Sequence, residues 1–279
     1  VVSEYRLGRP AAPLRAHISH YGGYRSAGEA PQLHRGLPSP HLTLIFTLDD
    51  PLLVLQHVDQ TTAPTGYLSM IGGLHTSPAL ITHDGWQSGV QVSLHPLGAR
   101  ALLGLPAGEL AGLDFDAEAL LGPLVGRVRE RLLLAGTWAQ RFAVLDEVFL
   151  ARLDERTAPA PEVRHAWRRI LGAGGDLPVA TLAEEVGWSA RHLTGRFTTE
   201  LGLSPKVAAR VVRFDRARRS LVLRRGTIAE AAAAHGYYDQ SHLVRDFRAF
   251  AGCTPTTWLA EEFRIVQAPL AQQAAGSPA

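Results

Sequence analysis

The chain reads as α+β: an N-terminal β-rich domain with a helical hairpin, then an all-α domain. Three observations lead there. Up to about residue 95, runs of four to eight apolar or alternating residues are punctuated by Gly, Pro and Asp. From about residue 118 the apolar period lengthens to three and four, the helical spacing. Beyond Ala158-Pro159-Ala160-Pro161, Leu193, Phe197, Gly202 and Pro205 recur as Leu243, Phe247, Gly252 and Pro255, each 50 residues later.

The first elements are strands at 41–48, 52–56, 66–71 and 90–94, separated by turns at Asp49-Asp50-Pro51, Gly72-Gly73 and Asp84-Gly85. Such spacing predicts an antiparallel sandwich or small barrel. Leu120, Leu124, Val128 and Leu132, then Trp138, Phe142, Leu145 and Phe149, predict helices over 118–134 and 138–156, parted at Gly136. They would pair as a hairpin, on the sheet or against a second copy. After the Pro-rich joint, helices are predicted at 162–172, 179–186, 190–200, 205–223, 227–235, 240–250 and 255–263. Ser189 and Asp239 can cap the third and sixth; Ser204-Pro205 and Thr254-Pro255 each set a capping hydroxyl before a proline at the first helical position. The expected division is 1–157, 162–265 and a flexible tail, 266–279.

Composition removes several classes. No apolar run approaches the ~20 residues of a membrane span. The opening Val-Val-Ser-Glu-Tyr-Arg has no secretory signal pattern, so a cytoplasmic protein is expected. The single cysteine, Cys253, permits neither an internal disulfide nor a Cys-rich zinc site. Charge is uneven: residues 1–159 hold 12 Arg and no Lys against 15 acids, a balance of −3, while residues 160–279 hold 15 Arg and one Lys against 11 acids, a balance of +5. A basic C-terminal part suits a polyanion.

The repeated unit fits two helix-turn-helix motifs joined by a long helix. Each copy needs a small residue where the helices nearly touch (Ala183, Ala232), a glycine in the turn (Gly187, Gly236) and apolar residues on the inner side of the second helix (Leu193 and Phe197; Leu243 and Phe247). The outward faces then carry Arg191, Thr194, Gly195 and Thr198 in the first copy, and Gln240, Ser241, Val244, Arg245 and Arg248 in the second. Arg can pair with guanine, Gln with adenine, and Val244 can meet a thymine methyl.

These residues make the 162–265 region resemble the DNA-binding domain of the AraC/XylS family of bacterial transcription regulators. The resemblance rests on Ile228-Ala-Glu-Ala-Ala232, Gly236-Tyr237, Gln240-Ser-His-Leu243, Arg245, Phe247 and Gly252-Cys-Thr-Pro255, with Ser189-Ala-Arg-His-Leu193 and Phe197 in the first half. It implies base contacts from Arg191, Thr194, Gln240, Ser241, Val244 and Arg245, with Arg248 on phosphate. Gly195 departs from the family, which often has a long polar side chain there, and Arg196 takes a slot that is usually apolar. The resemblance also implies a cupin-like N-terminal domain that binds a small-molecule effector and forms a homodimer, double-stranded DNA as partner, and RNA polymerase as a further partner of an activator.

Eight histidines, His17, His20, His34, His41, His57, His75, His83 and His95, fall in the N-terminal part and raise a second reading, a metal-dependent cupin-type enzyme tethered to a DNA-binding module. No His-x-His pair occurs, and His17 with His20 lacks a third ligand, so no metal, cofactor or catalytic residue is assigned. The histidines are expected at scattered surface or turn positions. A third reading has a domain that only dimerises. Ligand-pocket candidates are His34, Arg35, Tyr67 and Trp86, aromatic groups near basic or imidazole side chains.

Overall fold

The computed structural model describes residues 2–28, 30–223 and 226–262. Its N-terminal part holds two antiparallel sheets. In order across the first lie β1 (Val2–Gly8), β2 (Ile18–Ala27), β9 (Trp86–Leu94), β4 (Leu42–Thr47), β7 (Ser69–Gly72) and β10 (Asp114–Asp116). Across the second lie β3 (Gln32–Gly36), β8 (Ala79–His83), β5 (Leu52–Gln56) and β6 (Thr65–Tyr67).

Alternation along the strands gives each face of the first sheet its own core. In β4, Leu42, Leu44 and Phe46 join the helices, whereas Ile45 packs with Val54, Tyr67 and Ile81 between the sheets. The helical face is covered by α1 (Ala99–Leu103), α2 (Ala117–Leu121), α3 (Leu124–Leu134) and α4 (Trp138–Arg152), through Val125, Val128, Leu132, Leu145 and Phe149. The predicted helix 118–134 is thus two helices. Pro123 has no N–H to continue the ladder, and the chain turns at Gly122-Pro123. The predicted strand 66–71 also divides, at Leu68, into β6 and β7 of different sheets. Strands β1 and β2 escape prediction because Ile18-Ser-His-Tyr-Gly-Gly-Tyr-Arg-Ser-Ala27 lacks a sustained apolar alternation.

Asp146 fastens the hairpin to the sheet. Its Oδ1 accepts from the Tyr21 hydroxyl at 2.9 Å and from the Ala11 backbone N–H at 2.8 Å. Beside it, the Tyr21 and Phe142 rings stack with centroids 5.7 Å apart.

The C-terminal part contains α5 (Pro161–Gly172), α6 (Val179–Glu185), α7 (Ala190–Leu201), α8 (Pro205–Val222), α9 (Ile228–Ala234) and α10 (Gln240–Ala251), then a helical stretch over 255–262. Helix α8 serves two cores. Ala208, Ala209 and Val212 pack with Trp167, Leu193 and Phe197; Val211, Phe214, Ala217 and Leu221 pack with Leu243, Phe247 and Trp258. The expected tail and the last residue of the final predicted helix lie outside the described residues.

The two parts are docked. Leu74, from the turn after β7, is buried in the core around Trp167 and Phe197, and Leu37 packs against the core around Phe214. Arg100 Nε donates to Glu200 Oε1 and Oε2 at 2.8 and 2.9 Å. Arg35 Nη1 reaches Glu261 Oε2 at 2.7 Å and Glu262 Oε1 at 2.6 Å. Gly108 meets α7 so closely that a Cβ there would stand 2.3 Å from the Thr199 carbonyl oxygen.

Removing Asp146 orphans two donors, whereas removing the Tyr21 hydroxyl leaves the carboxylate with its Ala11 partner. Asp146→Ala is therefore expected to lower unfolding free energy by about 2–4 kcal/mol and Tyr21→Phe by about 1 kcal/mol, measured by denaturant titration. The reverse order would show that the hairpin is held without this carboxylate.

Candidate nucleic-acid interface and inter-sheet cleft

Each helix-turn-helix unit is built from local rules. Gly187 and Gly236 turn the chain between helices with φ of +69° and +71°, a region that an L side chain disfavours. Ala183 and Ala232 are buried where the paired helices approach. Ser189 Oγ accepts from the His192 N–H at 3.2 Å and Asp239 Oδ1 from the His242 N–H at 2.7 Å, capping α7 and α10. Thr227 and Glu230 form a reciprocal capping box on α9. In the second unit Arg213 lies over the Tyr237 ring, 5.0 Å from its centroid, and donates to the Gly236 carbonyl at 3.1 Å.

Leu193, Phe197, Leu243 and Phe247 are fully buried, which turns the opposite faces of α7 and α10 outward. Arg191, Gln240, Ser241, Arg245 and Arg248 are exposed, and Thr194 and Val244 are half-buried. A Cβ on Gly195 would meet nothing within 4 Å, so packing does not demand a glycine there. Arg196 is exposed, while Asp246, 50 residues on, is buried and accepts from Arg210 Nη2 of α8 at 2.7 Å. Tyr238, 93% exposed at the entry to α10, escaped sequence reasoning. Its signal was the doubled Tyr237-Tyr238, of which the fold buries only the first.

A cleft of about 290 Å³ opens between the sheets, with Arg218 and Arg219 of α8 among its walls. His20, His34, His41 and Thr43 line it from the strands and the β3–β4 turn. The expectation of scattered histidines is corrected for four of the eight: the fold gathers His20, His34, His41 and His75 at this cleft. The His20 and His41 rings lie 6.3 Å apart and those of His41 and His95 5.4 Å apart. His20 Nε2 is 3.2 Å from Ser93 Oγ. Burial, with Arg219 and His95 nearby, lowers His20 to about 4; burial and His95 lower His41 to about 3. Burial and His83 lower His34 to about 4. These rings are neutral at pH 7. Burial pushes the Asp215 carboxyl up, but Arg219, whose Nε is 2.8 Å away, and Arg218 outweigh it and hold the carboxyl below its ordinary value.

Of the four ligand-pocket candidates, the structure brings His34 and Arg35 to this cleft and leaves the others apart. The Arg35 guanidinium is committed to Glu261 and Glu262. Tyr67 sits in the inter-sheet core beside Val54 and Ile81, and Trp86, 60% exposed, borders a separate groove with Asp49 and Asp50. Among the described residues no group of three His, Cys, Asp or Glu is placed to hold a metal ion, and no helix is long and apolar enough to cross a membrane.

Known proteins resemble both parts. A helix-turn-helix domain family matches residues 182–261, and a domain of unknown function, DUF6597, matches residues 8–116. The uncharacterized HTH-type transcriptional regulators SAS0078 and SA0097 of Staphylococcus aureus strains MSSA476 and N315 are each 29% identical over 92 residues, 33% of this chain. The match spans only 12% of their length. ToxT from Vibrio cholerae O395 is similar in fold, with a TM-score of 0.50 at 9% identity over 86% of this chain and 96% of its own. ToxT bound to (E)-4-(8-methylnaphthalen-1-yl)but-3-enoic acid gives 0.51 at 11% identity over 92% of this chain and 98% of its own. A β-rich domain followed by a doubled helix-turn-helix is thus an arrangement with precedent, and with its signature residues in place the C-terminal part is a helix-turn-helix domain similar to that of AraC/XylS regulators.

Proposed function

We propose that the chain is a sequence-specific DNA-binding transcription regulator whose affinity for its site responds to a small molecule in the inter-sheet cleft. The observation that carries the reading is the pair of recognition helices, α7 and α10, capped alike and mounted on one helix. The 18 residues of α8 span about 27 Å at ~1.5 Å per residue, close to the ~34 Å repeat of duplex DNA. Arg191 and Thr194 face one groove segment, and Gln240, Ser241, Val244 and Arg245 the next, with Arg248 and Tyr238 at the backbone. Such a protein works in the cytoplasm and is not an enzyme.

Effector control is supported by placement. The cleft is bounded by strands and by α8, so a ligand there touches the helix that spaces the reading heads. The organic acid held by a fold neighbour agrees with such a use of the domain. Exposed Leu133, Leu134 and Leu150 on α3 and α4 offer a surface for a homodimer. An activator of this kind would also meet RNA polymerase.

The test of the main reading is selection of preferred sites from random duplex DNA by the full chain across a salt series. A recurrent sequence is expected, and uniform weak binding would overturn sequence reading. Arg191→Ala and Arg245→Ala are each expected to weaken the preferred site by about 1–3 kcal/mol while changing random DNA little; Arg248→Ala should weaken both alike. Coupling is tested by Gly108→Ala, whose methyl group collides with α7. Faster amide exchange at 107–111 and 198–202, together with altered affinity for the selected site, is expected, and an unchanged affinity would remove the sensor from control of DNA binding.

A further inference from the structure

A second cavity, of about 610 Å³, opens where the two parts of the chain are joined. Its walls come from the 3-10 turn Ala12–Ala16 with His17, from the segment His95 to Ala101, and from the 155–159 connection running into α5. Leu97, Pro159, Leu171 and Trp167 supply apolar surface, the indole itself being almost wholly buried.

The cavity gathers positive charge at its rim. Arg15, Arg164 and Arg168 line the cavity, are exposed, and make no ion pair among the described residues. Arg15 Nε donates only to the Pro10 carbonyl, at 3.0 Å, and Arg168 Nε approaches the Arg164 carbonyl at 3.4 Å. Glu155 is the one carboxylate in the lining, so three guanidinium groups leave an excess of two positive charges over an apolar floor.

We propose that this junction cavity binds a small phosphorylated organic molecule, its phosphomonoester held by Arg15, Arg164 and Arg168 and its apolar body resting on Leu97 and Trp167. A phosphomonoester carries about −1.5 to −2 charge at neutral pH, which balances the excess; a carboxylate would leave half of it. Guanidinium forks match phosphate oxygens bidentately. The volume falls within the ~300–1,000 Å³ of small-molecule sites. Because the walls belong to both domains and to the connection between them, occupancy ties all three together. The site is separate from the inter-sheet cleft and does not depend on an effector acting there.

The test is calorimetric titration of the full chain with phenyl phosphate, inorganic phosphate and phenol in the absence of DNA. Phenyl phosphate is expected to bind more tightly than inorganic phosphate, and phenol not measurably. The double variant Arg164→Gln/Arg168→Gln should weaken phenyl phosphate by at least about tenfold with its circular dichroism and thermal midpoint unchanged. The double variant Arg191→Ala/Arg245→Ala should bind phenyl phosphate as the parent does, which separates this site from the DNA surface and keeps its failure distinct from that of the regulator reading. The proposal is overturned if phenyl phosphate binds no better than inorganic phosphate, or if the Gln variant retains phenyl phosphate binding. If that variant keeps the ligand but loses affinity for all DNA alike, Arg164 and Arg168 are backbone contacts of the nucleic acid instead.

Discussion

The sharing of α8 between two hydrophobic cores constrains everything around it. Ala208, Ala209 and Val212 belong to one core and Val211, Phe214, Ala217 and Leu221 to the other, so neither helix-turn-helix unit can rotate without repacking the common helix. Close-packed interiors yield in discrete steps, so the spacing of α7 and α10 is a property of the fold rather than of a linker. Buried ion pairs reinforce this geometry. Asp246 on the inner face of α10 meets Arg210 of α8, and Asp215 of α8 is enclosed by Arg218 and Arg219 of its own helix. Losing Arg210 would leave the Asp246 carboxylate buried and uncompensated, a costlier state than either an intact pair or an apolar replacement.

The same helix connects α7 and α10 to the β domain. Its C-terminal half carries Arg218 and Arg219 to the inter-sheet cleft, while Arg100 holds Glu200 of α7 and Arg35 holds Glu261 and Glu262 beyond α10. Each unit is therefore gripped at its end from the same domain. The carboxylates involved differ in exposure: Glu200 and Glu262 are buried, whereas Glu261 is half open to solvent and screened accordingly.

Sequence patterning was most informative where structure is set by near neighbours. The helices of the C-terminal part carry their own caps, turn glycines and apolar stripes, and Ser189, Asp239, Gly187 and Gly236 do in the structure what their positions suggested. The β domain hid more, because its order depends on pairing between distant segments. Nothing local in Ile18–Ala27 marks a central strand, and only its register with β9 and that of β9 with β4 draws His20 toward His41. Tyr67 and Trp86 looked like pocket residues because aromatic side chains serve cores, rims and binding sites alike, and a linear pattern cannot say which. Arg35 was found in the cleft, but its attachment to Glu261 and Glu262 joins positions more than 220 residues apart, which no spacing rule reaches.

Leu74 has a wider meaning. This residue comes from the β domain yet lies sealed among Trp167, Leu182 and Phe197, in the interior of the first helix-turn-helix unit. That unit borrows part of its interior from elsewhere in the chain, whereas the second, with Phe214, Phe247, Phe250 and Trp258, furnishes its own aromatic centre. The two units are consequently unequal in what they owe the β domain: Leu74 is sealed inside the first, whereas Leu37 is only partly buried against the second.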